Sequence, residues 1–363
     1  MAPPILLAVP NVSEGRDART LAALRRAFAG GEGTSGSAED ATGGRGVKPD
    51  DERTAGACSG GVRLLDVHSD EDHHRSVFTL AGRQGGLADA LLRGAEAAVA
   101  RIDVMGPYAR AEGADERSGA SGPAQPSGLS ARPSSSGCVP VGQHPYVGAV
   151  DVVPVVYLEA SARGAACAEA LVVADRIGVE LGVPVFLYGE LTHAGRGSIR
   201  TRAELRRGGV AGLMERMLAG AGAASGHRAD FGPQAMHPTA GATLVAARGP
   251  LVAFNLQLAP PATVEDARRI AALIREGGAE GLPGVRAIGV RLSGGVAQVS
   301  MNLERPVEVP ARRAIEAVKR HAEVSSAELV GLAPSAALEG FPKDVPLPGF
   351  DPARHVIENA LRS

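Results

Sequence analysis

A histidine at the start of an apolar, β-prone run is the first residue whose position suggests chemistry. In the stretch VGQHPYVGAVDVVP, His144 precedes the run, and Pro145 restricts it to extended backbone. Asp151 interrupts the apolar residues that follow. A buried carboxylate usually needs a partner, and a carboxylate beside an imidazole can orient it for proton transfer. We therefore predict that His144 and Asp151 form a catalytic dyad; the alternative is a histidine that only caps the strand.

A second group of polar residues occupies the stretch DVHSDEDHHRSV, in a predicted loop between two strands. Imidazole and carboxylate groups of this kind are good metal ligands, and the stretch contains His68, Asp70, Asp72, His73 and His74. Their spacing fits no standard zinc or calcium loop. Three interpretations stay open: a solvated turn, a loop that contacts substrate, and a metal site.

Two further segments have features of ligand-contacting connections. The stretch FGPQAMHPTAGAT, Phe231–Thr243, is rich in glycine and proline and lies just before a second set of elements. Irregular segments between domains often line ligand sites, although a plain linker is the alternative. The stretch VPVFLYGEL, Val183–Leu191, places Tyr188 and Glu190 at the end of a predicted strand.

The elements that must position these residues follow one order twice. In the first half, apolar periodicity predicts strands at 5–9, 62–67, 77–80 and 149–158 and helices at 17–28 and 87–102. A helix at 162–181 and a strand at 183–188 extend this unit. In the second half it predicts strands at 251–256, 285–292, 296–301 and 328–332 and helices at 263–276 and 310–322. Both halves read βαββαβ, which predicts an α/β (α+β) protein of two tandem ferredoxin-like sandwiches.

Two segments interrupt this pattern. Gly30–Gly61 and Gly106–Gly142 are rich in Gly, Ser, Ala, Pro and charged residues. Such composition cannot bury enough apolar area to offset chain entropy, so we predict two disordered insertions in surface loops. With the insertions included, the predicted domains are residues 1–250 and 251–363.

Composition limits the class of partner. The net charge is −2 and aromatic residues make up 3%, which disfavours nucleic acid and membrane surfaces as partners. The cysteines Cys58, Cys138 and Cys167 have no metal-like or disulfide-like spacing, and this favours a reducing cytoplasm. The first residues lack the basic region of a signal peptide, and no apolar run is long enough for a transmembrane helix.

Taken together, the segments resemble the formiminotransferase family, the glutamate formimidoyltransferases. The resemblance follows the family order over nearly the whole chain, in the runs VPNVSEG, LLDVHSDEDHHRSVFTLAG, HPYVGAVDVVP, LGVPVFLYGE, DFGP, GATLVAARGPLVAFNLQL, AQVSMNLE, ELVGLAP and FDPARHVIENAL. It implies transfer of a formimidoyl group from N-formimidoyl-L-glutamate to N5 of tetrahydrofolate, which is a co-substrate, without a metal. It also implies a homodimer.

The resemblance assigns site residues as well. It gives His144 the role of catalytic acid/base, and Asp151 is its predicted partner. It places folate contacts on a continuous segment: Gly232, Pro233, Gln234, Ala235, Met236, His237, Pro238, Thr239, Ala240 and Gly241. By analogy, substrate contacts fall on His68, His74, Arg75, Tyr188 and Glu190.

The sequence departs from the family pattern at two positions. Tyr146 stands where the family commonly has Arg, and Ala240 stands where it often has an aromatic residue. Two alternatives therefore stay open beside the transferase. One is a folate-binding paralogue with a different one-carbon donor or no turnover, and the other is a metal-dependent hydrolase that uses the His68–His74 loop.

Overall fold

The computed structural model describes residues 3–30, 61–106, 145–192, 200–220 and 227–363. The predicted insertions, about 30–61 and 106–142, lie outside the described residues apart from their ends. Among the described helices, none is both long and apolar enough to cross a membrane.

The first half forms one seven-stranded sheet. Its strands are β1 (Ile5–Ala8), β2 (Asn11–Val12), β3 (Arg63–Asp70), β4 (Arg75–Arg83), β5 (Val150–Tyr157), β6 (Val185–Leu187) and β7 (Thr243–Arg248). β1 and β2 follow each other across Pro10, and both pair with β4 on one side and β5 on the other. β3 pairs with β4 at one edge of the sheet, and β7 and β6 continue it in parallel beyond β5.

Three of the described helices cover one face of this sheet: α1 (Ala18–Ala29), α2 (Leu87–Val99) and α3 (Arg163–Glu180). Sequence signals set the ends of α1, because the Asp17 carboxylate accepts from Arg19 N and Thr20 N, and Gly30 closes the helix at φ 80°. The core between helices and sheet includes Leu6, Leu24, Phe28, Phe78, Leu91, Val153, Val173 and Ile177. Two more helices, α4 (Arg202–Leu205) and α5 (Gly209–Ala219), belong to a smaller core with β5, β6 and β7.

The second half forms a four-stranded antiparallel sheet in the order β11–β8–β10–β9. The strands are β8 (Val252–Leu258), β9 (Val285–Arg291), β10 (Ala297–Leu303) and β11 (Val324–Val330), and the helices are α6 (Val264–Ile274) and α7 (Ala311–Lys319). A capping box between Thr263 and Asp266 starts α6, as the sequence indicates. The prediction of two tandem βαββαβ units is confirmed, since β3, β4, β1 and β5 repeat the same strand order in the first sheet.

The two sheets face each other, with their helices outside. In each central strand alternate side chains point to opposite faces: Leu6 and Ala8 pack under the helices, while Leu7 faces the second half. The last two helices, α8 (Pro352–His355) and α9 (Ile357–Ala360), return to this interface. A small apolar cluster there joins Leu7, Ala81 and Val156 to Leu332, Ile357 and Ala360.

The structure differs from the prediction in the first half. β3 extends to Asp70 and β4 begins at Arg75, so most of the stretch predicted as a loop is strand. β7, α4 and α5 were not predicted. β7 is short and contains two alanines, and it lies between two parallel neighbours, so its sequence lacks the alternation of a half-exposed strand.

Gly148 allows two backbone segments to meet beside β5. A Cβ atom built there would lie 1.9 Å from the Ala242 carbonyl oxygen and 2.7 Å from that of Ala240. We expect Gly148→Ala to lower the free energy of unfolding by about 3 kcal/mol through overpacking. Gly164→Ala, on α3, is the control, because nothing lies within 4 Å of its added Cβ. Urea denaturation of both variants measures the difference, and equal midpoints would contradict the described contact.

Candidate active site

A cavity of about 600 Å³ lies between the two sheets. Its walls include one face of the first sheet (Asn11, Val77, Thr79, Val152 and Pro154) and the facing side of the second (Ala253, Asn255, Ser300 and Asn302). A volume of this size is typical of sites for small organic substrates.

Arginine side chains form one part of the wall. Arg75 begins β4 and Arg202 begins α4, and both line the cavity with guanidinium groups that form no hydrogen bond or ion pair with another described residue. Burial lowers the pKa of each to about 10, and the nearby Arg206 guanidinium contributes in both cases. Both still carry full positive charge at neutral pH. Because an uncompensated charge away from water is costly, these two side chains favour an anionic ligand.

Asp151 and Arg206 form a buried ion pair next to these arginines. Arg206 Nη2 donates to Asp151 Oδ2, and the side chains are 8% and 1% exposed. Asp151 Oδ1 also accepts from Val147 N at 3.0 Å. The carboxylate is therefore already bound by a guanidinium and by the backbone just after the HPY segment. His144, its predicted partner, lies outside the described residues, and the dyad stays a prediction; Pro145 lines the cavity.

Acidic and imidazole groups form another part of the site. His68 and Asp70 are two residues apart on β3, so both point to the cavity face. Glu328 reaches them from β11 of the second sheet, with its Oε1 3.3 Å from His68 Nε2. Asn255 Nδ2 donates to Glu328 Oε2 at 2.8 Å. The prediction that His68 and Asp70 lie in a loop was wrong, because both belong to β3, whereas Asp72, His73 and His74 do lie in the turn between β3 and β4.

This group has donor atoms that could hold a cation. One ligand atom each from His68, Asp70 and Glu328 lies within 4.8 Å of the others. Burial alone would lower the pKa of His68, but the contact with Glu328 and the charges of Asp66 and Asp70 raise it. The contact with His68 lowers the pKa of Glu328. Burial lowers the pKa of His73, which is only 6% exposed.

The predicted folate segment, 232–241, lies apart from the cavity wall. Its Ala240 carbonyl accepts from Ala149 N at 2.9 Å, beside the start of β5. Ala240 is 2% exposed, so an aromatic side chain at this position would need a different local packing. Pro233, Gln234, Ala235 and Pro238 are exposed. The structure describes every residue of this segment, and none of them lines the cavity. The role of the segment in folate binding stays a prediction.

The predicted substrate contacts divide into two groups. His68, Arg75 and Tyr188 line the cavity. His74 lies elsewhere, in a left-handed conformation at φ 47°, with Nδ1 3.6 Å from Glu14 Oε1. Glu190 accepts from Tyr157 Oη at 2.8 Å and from Arg163 Nε at 2.6 Å on the outside of the protein. The structure does not bring these last two residues to the cavity.

Sequence reasoning missed Arg202, Arg206, Asn255 and Glu328. The sequence did contain signals for Arg206. A buried Asp151 requires a partner, and the capping box of Thr201 and Glu204 predicts the short helix that ends at Arg206. No local pattern marks Glu328, which reads as an ordinary polar position in a strand.

Comparison with known proteins matches both halves of the chain to the same family. Residues 5–121 and 140–248 match the formiminotransferase domain, N-terminal subdomain, and residues 253–340 match the formiminotransferase domain. A glutamate formimidoyltransferase of Streptococcus pyogenes serotype M1 is 33% identical over 308 residues, which cover 83% of this chain and 89% of the relative. That of Thermoplasma acidophilum is 29% identical over 94% of this chain and 93% of its own length.

A longer relative is the formimidoyltransferase-cyclodeaminase of Sus scrofa, 32% identical over 344 residues. These cover 91% of this chain and 50% of the relative. The chain therefore spans about half the length of that bifunctional protein.

The Asp151–Arg206 pair predicts a specific stability pattern. Arg206→Met leaves a buried carboxylate without its cation, so we expect the free energy of unfolding to fall by about 3–5 kcal/mol. Adding Asp151→Asn removes that charge but keeps an acceptor for Val147 N, so the double variant should be more stable than Arg206→Met alone. Denaturant unfolding of the variants checks this, and purely additive losses would show that the pair is not coupled.

Proposed function

The chain belongs to the formiminotransferase family, and we propose that it transfers the formimidoyl group of N-formimidoyl-L-glutamate to N5 of tetrahydrofolate. The products are 5-formimidoyltetrahydrofolate and L-glutamate. Such a reaction serves histidine degradation and one-carbon metabolism. Tetrahydrofolate acts as co-substrate, and both substrates are small molecules.

The observation that carries the proposal is the arginine wall of the cavity. Donor and acceptor both contain a glutamate moiety, and each therefore brings carboxylates. Arg75 and Arg202 present guanidinium groups to the cavity without a partner among the described residues. Guanidinium binds carboxylate in a planar, two-point geometry. The cavity volume of about 600 Å³ suits substrates of this size.

The reaction needs two proton movements. The N5 amine attacks the amidine carbon, forming a C–N bond and a tetrahedral intermediate. A proton leaves N5, another reaches the departing glutamate nitrogen, and the old C–N bond then breaks. A histidine whose pKa is near the working pH can perform both transfers. We assign them to His144, with Asp151 and the folate segment Gly232–Gly241 as predicted supporting residues.

The remaining features of the proposal come from sequence and family alone. No metal is required, because a protonated amidine is already electrophilic at its carbon. A homodimer, a cytoplasmic location and the lack of nucleic-acid or membrane partners stay predictions.

A metal-dependent hydrolase is a second candidate function, favoured by the convergence of His68, Asp70 and Glu328. It would release the one-carbon group to water and would not need folate. An assay of formimidoylglutamate with and without tetrahydrofolate separates the two functions. Folate-dependent formation of glutamate supports the transferase; folate-independent turnover favours the hydrolase, and folate binding without turnover indicates the inactive paralogue.

His144 is the residue to test first. We expect His144→Ala to lower kcat by about 10²–10⁴-fold, the range for loss of a general acid/base, with little change in folate affinity. Added imidazole should restore part of the rate. His321→Ala serves as control, because this side chain pairs with Glu280 away from the cavity. A His144→Ala enzyme with nearly normal kcat would refute the assignment.

Transfer should also be independent of metal. We expect full activity after prolonged dialysis against EDTA, since the step gains little from a Lewis acid. Elemental analysis of the purified protein accompanies the assay. Stoichiometric zinc, with activity lost on dialysis and restored by metal, would favour the hydrolase.

A further inference from the structure

The cavity presents opposite charges along one face of the first sheet. Asp70 on the edge strand β3 pairs in register with Arg75 on β4. Further along the same face lie β5 and the helix that supplies Arg202 and Arg206. The wall thus changes from acidic at β3 to basic towards β5.

The acidic end keeps free acceptor capacity. Asp70 Oδ1 accepts from His73 N at 2.9 Å, and Oδ2 lies 3.7 Å from His73 Nε2. A carboxylate offers about four acceptor positions. Neither Asp70 nor Glu328 forms an ion pair with a lysine or arginine of the described chain.

Charge at this end stays negative when all facing groups are counted. Asp70 lines the cavity, the Glu328 carboxylate converges with it from an adjoining smaller cavity, and Asp66 lies on the same strand as Asp70. His68 can contribute at most one positive charge, and burial lowers the pKa of His73. Arg75 is in register with Asp70 on the neighbouring strand, but no ion pair joins the two side chains. A positively charged ligand group is therefore favoured beside Asp70.

The proposed donor has such a group. Its amidine is a strong base and is protonated at neutral pH, with planar N–H donors on both sides of the carbon. Its two carboxylates lie on the other side of the molecule. The positive amidinium would therefore face the acidic part of the cavity wall, and the negative carboxylates would face the arginines.

We propose that Asp70, supported by Glu328 from the second sheet, binds the amidinium group of the donor and selects formimidoyl over neutral acyl groups. The inference rests on the proposed function, because it takes N-formimidoyl-L-glutamate as the ligand. Asp70 is a recognition residue here and takes no part in proton transfer. It also makes donor binding depend on both halves of the chain, since Glu328 belongs to β11.

A neutral isostere tests this recognition. N-formyl-L-glutamate has nearly the shape of the donor but lacks the positive charge. Calorimetric titration should show tighter binding of the formimidoyl compound to wild-type protein. In Asp70→Asn that affinity should fall by about 10- to 100-fold, the range for a lost hydrogen bond to a charged group, while the affinity for the formyl compound changes little. Asn keeps an acceptor for His73 N, so the loop geometry is retained.

Two matched variants sharpen the test. Glu328→Gln should reduce the preference in the same direction. Glu71→Gln, at an exposed neighbour whose carboxylate is not part of the group formed by His68, Asp70 and Glu328, should leave it unchanged. Equal wild-type affinity for both compounds, or an unchanged preference in folded Asp70→Asn, would overturn the proposal. Stoichiometric metal that is lost in Asp70→Asn would also overturn it, because the group would then be a metal site.

The binding test is independent of the proposed function, because binding needs no turnover. A protein that prefers the formimidoyl compound but transfers nothing would refute the function and not the recognition.

Discussion

The site depends on how the protein compensates buried charge. Asp151 and Arg206 neutralise each other where the start of β5 meets the end of α4. The guanidinium groups of Arg75 and Arg202 beside this pair form no ion pair with a carboxylate of the described residues. A ligand with carboxylates can supply the counter-charge. The same electrostatic requirement therefore determines both the local fold and the kind of molecule that the cavity favours.

Sequence patterns predicted the second half well because its signals are local. The capping box at Thr263 and Asp266, the glycines of the 293–295 turn and the alternation of β10 each identify one element without reference to another. The repeated order of elements then indicates the fold, since few arrangements bury the apolar faces of two helices against one sheet. In the first half, β7 escaped prediction because a short parallel strand buried on both faces has no distinctive period.

The site was less predictable because it is assembled from distant segments. His68 and Arg75 were found from their polar surroundings, yet Glu328 is far from both in sequence and reaches His68 only because the two sheets face each other. The need for a partner at Asp151 was visible, whereas its identity was not. The treatment of 66–77 as a loop hid the shared orientation of His68 and Asp70, which follows at once from their alternation on a strand.

The return of the last helices to the first sheet limits the motion of the two halves. They are joined covalently between Arg248 and Val252, and again by the packing of Ile357 and Ala360 and by the bond from Arg63 Nη2 to the Ala360 carbonyl at 2.5 Å. A large rotation at the connection between Arg248 and Val252 would require the contacts of Ile357 and Ala360 with the first sheet to break. These contacts re-form readily, because a tethered segment has a high effective concentration. We therefore expect ligand exchange to need only small displacements of the two sheets, with the charged walls of the cavity staying close to their described separation.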